Sequence, residues 1–192
     1  MAHESSAPPH SSVTQSPNAG SRILRRRKHR DPLLVFLAKG LLATGVLVGT
    51  AAAILSVFQL HYDPQRNSSL PYHAWVVVTF DDSFAHGDYV AFHTDERMSE
   101  FFPIGTSFIK EVVGMPGDRV VVTGGEVIVN GDTVGELPLA KTIGKPESAF
   151  SRDLTVPQGH YWVMGTKPIS YDSRYWGTIS KDQVIGQGHP IF

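Results

Sequence analysis

The sequence predicts a mainly β fold, an antiparallel β-barrel or folded sheet, preceded by one transmembrane helix. Three observations predict it. Gly40 to Phe58 is a run of 19 residues without a charge, and no polar face interrupts it. Past residue 62 the pattern changes to short runs rich in Val, Ile and aromatic residues, which suit half-buried pleated surfaces. Gly, Pro and Asp punctuate these runs at HGD (86–88), MPGD (115–118), TGG (123–125) and NGD (130–132). At a prior of ~150 residues per domain, 192 residues hold one compact domain plus something small. The sequence has no cysteine, which excludes a disulfide framework, a thiol nucleophile and a Cys-based zinc site.

Taken in order, residues 1–21 are dominated by Ser, Pro, Ala and His without apolar periodicity. Such a stretch buries too little apolar surface to offset its ordering entropy and is expected to be disordered. Six basic residues follow between Arg22 and Arg30, completing a basic tail over residues 1–32. Residues 1–39 carry seven basic and two acidic side chains, against ten and sixteen in the remainder. The basic cluster flanks an apolar run, which argues for a membrane-proximal role and against nucleic-acid binding.

The anchor is expected over residues 33–60, where Lys39 is the only charge and can reach the headgroups from near one end. A helix needs ~20 apolar residues to cross ~30 Å of hydrocarbon, and this run is long enough. It is longer than the ~7 to 15 apolar residues of a cleaved signal peptide, so a retained anchor is expected. Basic residues mark the cytoplasmic flank, placing residues 61–192 outside. In a bacterium this describes a single-pass inner-membrane protein with a periplasmic domain.

In that domain, strands are expected at Ala74–Phe80, Asp88–His93, Ser107–Gly114, Asp118–Thr123, Glu126–Gly131 and His160–Gly165. Gly124-Gly125 and Asn130-Gly131 read as hairpin turns. Leu137 to Arg152 lacks clear periodicity and reads as a loop.

The sequence holds no G-x-S-x-G elbow, Walker A, H-E-x-x-H or G-x-G-x-x-G. His86 and His93 match no ligand spacing, so neither a metal nor a cofactor is expected. Two places remain. Asn67-Ser68-Ser69-Leu70-Pro71 offers two serines just past the anchor, although Ser and Pro are also ordinary turn residues. Lys110 lies in SFIKEVVG. It either points at solvent, with Glu111 on the other face, or lies desolvated among Phe108, Ile109, Val112 and Val113. Desolvation penalises the ammonium form, and a neutral amine can take the proton of a serine hydroxyl. Ser-Lys pairs of this kind need neither His nor Asp. These residues permit a Ser-Lys hydrolase without singling one out.

Lys110 to Asp118, KEVVGMPGD, resembles the lysine-bearing motif of type I signal peptidases. Asp172 to Gly177, DSRYWG, resembles the D-S-R-[YF]-[WF]-G signature of the same family. The order of anchor, Ser, Lys and Asp-Ser-Arg also fits. There are departures. Thr166-Lys167-Pro168 stands where general leader peptidases have Gly-Asp-Asn-Arg, and Ser-Leu-Pro replaces Ser-Met-x-Pro. With the compact outer domain, these features look like the TraF-type peptidases of conjugative plasmids.

The resemblance implies a signal peptidase domain and a membrane-anchored serine endopeptidase. Its substrates would be membrane-associated preproteins, with the pilin precursor or other parts of the mating apparatus foremost, and its other partner the lipid bilayer. It further implies Ser69 as nucleophile, with Ser68 the rival because leader peptidases place the serine three residues before the Pro. Lys110 matches the general base and Ser170 a hydroxyl that orients it. Asp172 and Arg174 match bracing residues and read equally well as a structural ion pair. The backbone N–H of the nucleophile would serve the oxyanion, with Asn67 or Ser68 a source of a second donor. Phe84, Phe101, Phe102 and Pro103 are candidates for contact with lipid, the alternative for Phe101-Phe102 being the core. Two other readings stay open: a general leader peptidase, and a non-catalytic pilus assembly protein that keeps the fold.

Overall fold

The computed structural model describes residues 32–64, 68–80 and 83–192. The expected disordered tail and Asn67 lie outside the described residues. Helix α1 spans Leu33–Val57, starting after Pro32, whose carbonyl accepts from the Val35 and Phe36 N–H groups. Lys39 is the only charge among its 25 residues and none of them is buried; the helix is long and apolar enough to cross a membrane. Phe58, Gln59 and Leu60, which the sequence attaches to the anchor, instead open strand β1 (Phe58–Tyr62).

Ten further strands follow among the described residues. Those of the larger sheet are β2 (Ala74–Val78), β3 (Tyr89–His93), β4 (Ser107–Gly114), β9 (His160–Met164), β10 (Ile179–Ser180) and β11 (Val184–Pro190). Those of the smaller are β5 (Arg119–Thr123), β6 (Glu126–Val129), β7 (Asp132–Glu136) and β8 (Arg152–Thr155). The orders are β1-β2-β11-β3-β4-β9-β10 and β7-β6-β5-β8, antiparallel at every pairing. The fold is therefore mainly β with one N-terminal apolar helix. Both hairpin signals sit at turns: Gly124 and Gly125 join β5 to β6, and Asn130 (φ 53) with Gly131 (φ 98) joins β6 to β7.

Valines 120, 122, 127 and 129 of the smaller sheet meet Val90, Phe92, Val112 and Trp162 of the larger in one buried cluster. The stretch read as a loop between Leu137 and Arg152 folds into helix α2 (Leu139–Ile143) and a single 3₁₀ turn, Glu147–Phe150. Neither is long enough for apolar periodicity to show in sequence. Both instead bury isolated residues, Ala140 and Phe150, under the core.

Candidate active site

Strand β4 carries Lys110 between β3 and β9, with Val90 directly opposite on β3. Along β4, Lys110, Val112 and Gly114 are buried while the residues between them are only half-buried. The period of two thus turns Lys110 inward with the core residues. It is 4% exposed. Its Nζ donates to Ser69 Oγ (2.5 Å) and to Ser170 Oγ (3.1 Å). The Phe108 ring lies 5.4 Å from the same nitrogen.

Burial lowers the Lys110 pKa from 10.5 to about 8. The Asp172 carboxylate pulls it back up, Arg174 pushes it further down, and Asp63 acts upward. Ser68 is buried beside this pair, but its Oγ accepts from the Leu70 N–H (3.4 Å). Among the described residues the two hydroxyls that Lys110 reaches are those of Ser69 and Ser170.

The DSR segment frames the site. Asp172 caps helix α3 (Ser173–Trp176), accepting from the Arg174 N–H. Arg174 Nε and Nη2 form a two-pronged bond to the Asp172 carboxylate, both at 2.7 Å, with both side chains fully buried. Arg174 Nη2 also donates to the carbonyls of Ser170 and Lys167, and Nη1 to that of Glu136. Asp172 Oδ2 accepts from the Gly165 N–H (2.8 Å). The ion pair therefore fixes the backbone on both sides of Ser170, which in turn presents its hydroxyl to Lys110. Losing one partner would strand a buried charge, which typically costs ~3 to 5 kcal/mol.

Two supports escape the sequence reading. Gly165 follows β9 so close to the site that an added Cβ would lie 2.8 Å from the Ser69 carbonyl oxygen and collide with the Ser170 side chain. The Ser69 carbonyl is held by the Lys167 N–H (3.2 Å) and, more loosely, by the Thr166 hydroxyl (3.4 Å). Thr166-Lys167 is the stretch that departs from the leader-peptidase pattern, and it bonds the candidate nucleophile's own backbone.

The pair opens into a groove of about 340 Å³. His61 and Asp63 lie on its β1 side, and Ser107 and Ile109 on its β4 side. Ser107 Oγ and His61 Nδ1 are 3.2 Å apart, joining the two sides. Burial, and secondarily His93, lower the His61 pKa.

The remaining candidates divide. His86 pairs with Asp118 (2.6 Å), which also takes the Met115 N–H and the Asn130 amide and so braces the MPGD turn. His93 bonds the Gly105 carbonyl. Among the described residues no three His, Cys, Asp or Glu side chains are grouped to hold a metal. Phe84 and Phe102 are half-buried, against Tyr161 and Phe108 respectively, whereas Phe101 and Pro103 are exposed.

The site thus places a buried lysine against a half-buried serine in a mainly β domain, an arrangement that permits nucleophilic chemistry without His. A family model described as signal peptidase, peptidase S26, matches residues 36–192, and the chain belongs to that family. A signal peptidase I from Leptolyngbya laminosa is 35% identical over 103 residues, covering 53% of this chain and 49% of its own. The chain thus spans about half the length of that relative, and likewise of a Synechocystis protein named "Probable signal peptidase I-2" (47%). A Sinorhizobium fredii protein named "Probable conjugal transfer protein TraF" is 31% identical over 185 residues, covering 88% of this chain and 94% of its own. A solved signal peptidase I from Enterococcus faecalis is 26% identical over 56% of this chain and 97% of its own, with a TM-score of 0.36, too low to bear on the fold.

Proposed function

We propose that the protein is a membrane-anchored serine endopeptidase in which Ser69 is the nucleophile and Lys110 the general base. The observation that carries this reading is the buried Lys110 amine hydrogen-bonded to the Ser69 hydroxyl. Neutral Lys110 takes the Ser69 proton as Oγ attacks the scissile carbonyl carbon. The tetrahedral intermediate bears a negative oxygen, which the Ser69 backbone N–H stabilises. As the C–N bond breaks, the Lys110 ammonium returns its proton to the leaving amine, giving an acyl-enzyme. Lys110 then deprotonates a water that attacks the ester. The product leaves as a carboxylic acid, Ser69 regains its proton, and Lys110 is neutral again. Ser170 and the Asp172–Arg174 pair act through Lys110 as positioning residues.

The substrates on this reading are exported preproteins carrying their own membrane segment, specifically the pilin precursor or another mating-apparatus component. The TraF relative supports this, because it aligns along nearly its whole length while the signal peptidase I relatives align over about half of theirs. The catalytic domain lies on the periplasmic side of the bacterial inner membrane, given the basic cluster before α1.

The test is mass spectrometry of the pilin in donor cells carrying wild type, Ser69→Ala, Ser68→Ala or Lys110→Ala. Ser69→Ala and Lys110→Ala are expected to leave the precursor uncleaved while Ser68→Ala processes it. A pilin that matures in all four strains refutes the assignment of this substrate, and other accumulating precursors are then sought. A protein acting only as an assembly scaffold would still support pilus formation as Ser69→Ala.

A further inference from the structure

We propose that an aromatic cavity beside the Ser69–Lys110 groove is a second subsite, one that takes a bulky apolar side chain of the polypeptide held in that groove. This rests on the peptidase reading of the groove.

The cavity measures about 240 Å³, and its apolar wall is built from Phe101, Phe150, Tyr171, Tyr175 and Trp176. Sites that enclose a whole small molecule run to about 300 Å³ and more, so this one suits a single side chain. The cavity adjoins the groove, because Tyr171 lines both. A row of rings joins them: Phe108, beside Lys110, meets Phe102 at 4.8 Å, and Phe102 stacks on Tyr171 at 6.0 Å. Tyr171 stacks in turn on Tyr175 (5.9 Å). A chain lying along the groove therefore meets the second cavity across one ring.

Polarity also favours a polypeptide. Arg97, Glu100 and Lys145 also line the cavity, with Lys145 and Glu100 paired at 3.3 Å. The backbone amides flanking an incoming side chain can pair with these charged groups at the rim, whereas an acyl chain brings no donor or acceptor to them. Phe101 is 47% exposed beside the opening, an aromatic surface that an incoming side chain would cover.

The first test uses the full ¹⁵N-labelled chain in detergent micelles, with the Trp176 indole resonance assigned by Trp176→Phe. N-acetyl-phenylalanine amide is expected to shift it saturably, N-acetyl-alanine amide is not, and Phe101→Ala should weaken the binding at least fivefold or so. No shift, or equal shifts from both probes, overturns the subsite. A shift produced instead by phosphatidylglycerol, or by raising protein concentration alone, overturns the assignment in favour of lipid or a second copy.

The second test takes the precursor that accumulates in Ser69→Ala cells and changes its bulky apolar residues near the cleavage point to alanine, one at a time. One change should raise KM about tenfold with wild type and leave KM unchanged with Phe101→Ala. If the precursor is cleaved and no position behaves so, the subsite falls while the peptidase reading stands. If no precursor accumulates, the peptidase reading falls, and with it the substrate as occupant.

Discussion

Removing the Lys110 ammonium from water disfavours its charged form, and two consequences follow with opposite implications for activity and stability. For activity, on the proposed mechanism only the neutral amine accepts the Ser69 proton. With the pKa lowered to about 8, the fraction of competent enzyme rises tenfold per pH unit below that value and levels off above it. A plot of log kcat/KM against pH for precursor cleavage should therefore climb with unit slope and bend near pH 8; a flat profile from pH 6 to 9 contradicts Lys110 as the base. For stability, the unfolded chain holds this proton up to the ordinary lysine value of 10.5, whereas the folded one releases it near 8. Between these values the unfolded state binds more protons, so stability rises with pH; below 8 the folded state carries the whole penalty. The difference corresponds to roughly 3 kcal/mol as an upper figure, since the hydrogen bonds to Ser69 and Ser170 offset part of it. Lys110→Met should accordingly unfold at a higher temperature than wild type at pH 7, with the gap closing as the pH is raised from 8 towards 10.5. The other groups that titrate in this range are common to both proteins and cancel in the difference. A variant that is inactive yet more stable is the pattern expected where a function requires a buried charge.

At the scale of elements, what the sequence reveals depends on how each strand handles its neighbours. Ser107–Gly114 is legible to the residue because its Val, Ile and Phe fill a pleated half-buried strand. β11, VIGQGHP, is not legible: two glycines and a proline suggest a loop, yet it lies between β2 and β3 inside the larger sheet. The reason is crowding. A Cβ at Gly188 would lie 3.3 Å from Ile109 Cγ2 and 3.5 Å from both Trp75 and Tyr89. One at Gly186 would run into the Val78 carbonyl of β2, at the point where the register with β3 slips between Val184 and Gly186. The glycines are what allow this strand into the sheet, and that need exists only once distant residues are assembled. Gly188→Val should therefore cost about 1 to 3 kcal/mol by overpacking, read as a lower urea midpoint at unchanged slope. Gly186→Ala should cost more, because backbone rather than a side chain must move; a neutral result there removes the crowding account. The site divides the same way. Ser69, Lys110 and Asp172–Arg174 are legible through motifs, whereas Gly165 and the hold of Thr166 and Lys167 on the Ser69 carbonyl arise only where β9 meets the serine loop.

For the whole molecule the decisive asymmetry lies in sequence rather than in packing. Six basic residues stand between Arg22 and Arg30, shortly before a 25-residue helix whose only charge, Lys39, lies near its N-terminal end. Beyond it, residues 61–192 carry more acidic than basic side chains. Basic residues close to a membrane span resist translocation, and acidic ones contribute little, so on the proposed reading the cluster keeps the N-terminal end of α1 in the cytoplasm. On the proposed reading this orientation is a condition of function, since a preprotein anchored by its own span meets the enzyme only on the side to which its cleavage point is exported. Sharing one bilayer raises the effective concentration of the two without any further contact. A phosphatase reporter fused after Phe192, active only when exported, should therefore be active in the wild-type chain. Changing Arg22, Arg25, Arg26, Arg27, Lys28 and Arg30 to glutamine should reduce the exported fraction, and adding a comparable basic cluster just after Tyr62 should invert it. Precursor cleavage should fall in step with the exported fraction across this series, although no residue of the groove has changed. Cleavage that persists when the reporter is retained inside would place the working site on the other face of the membrane.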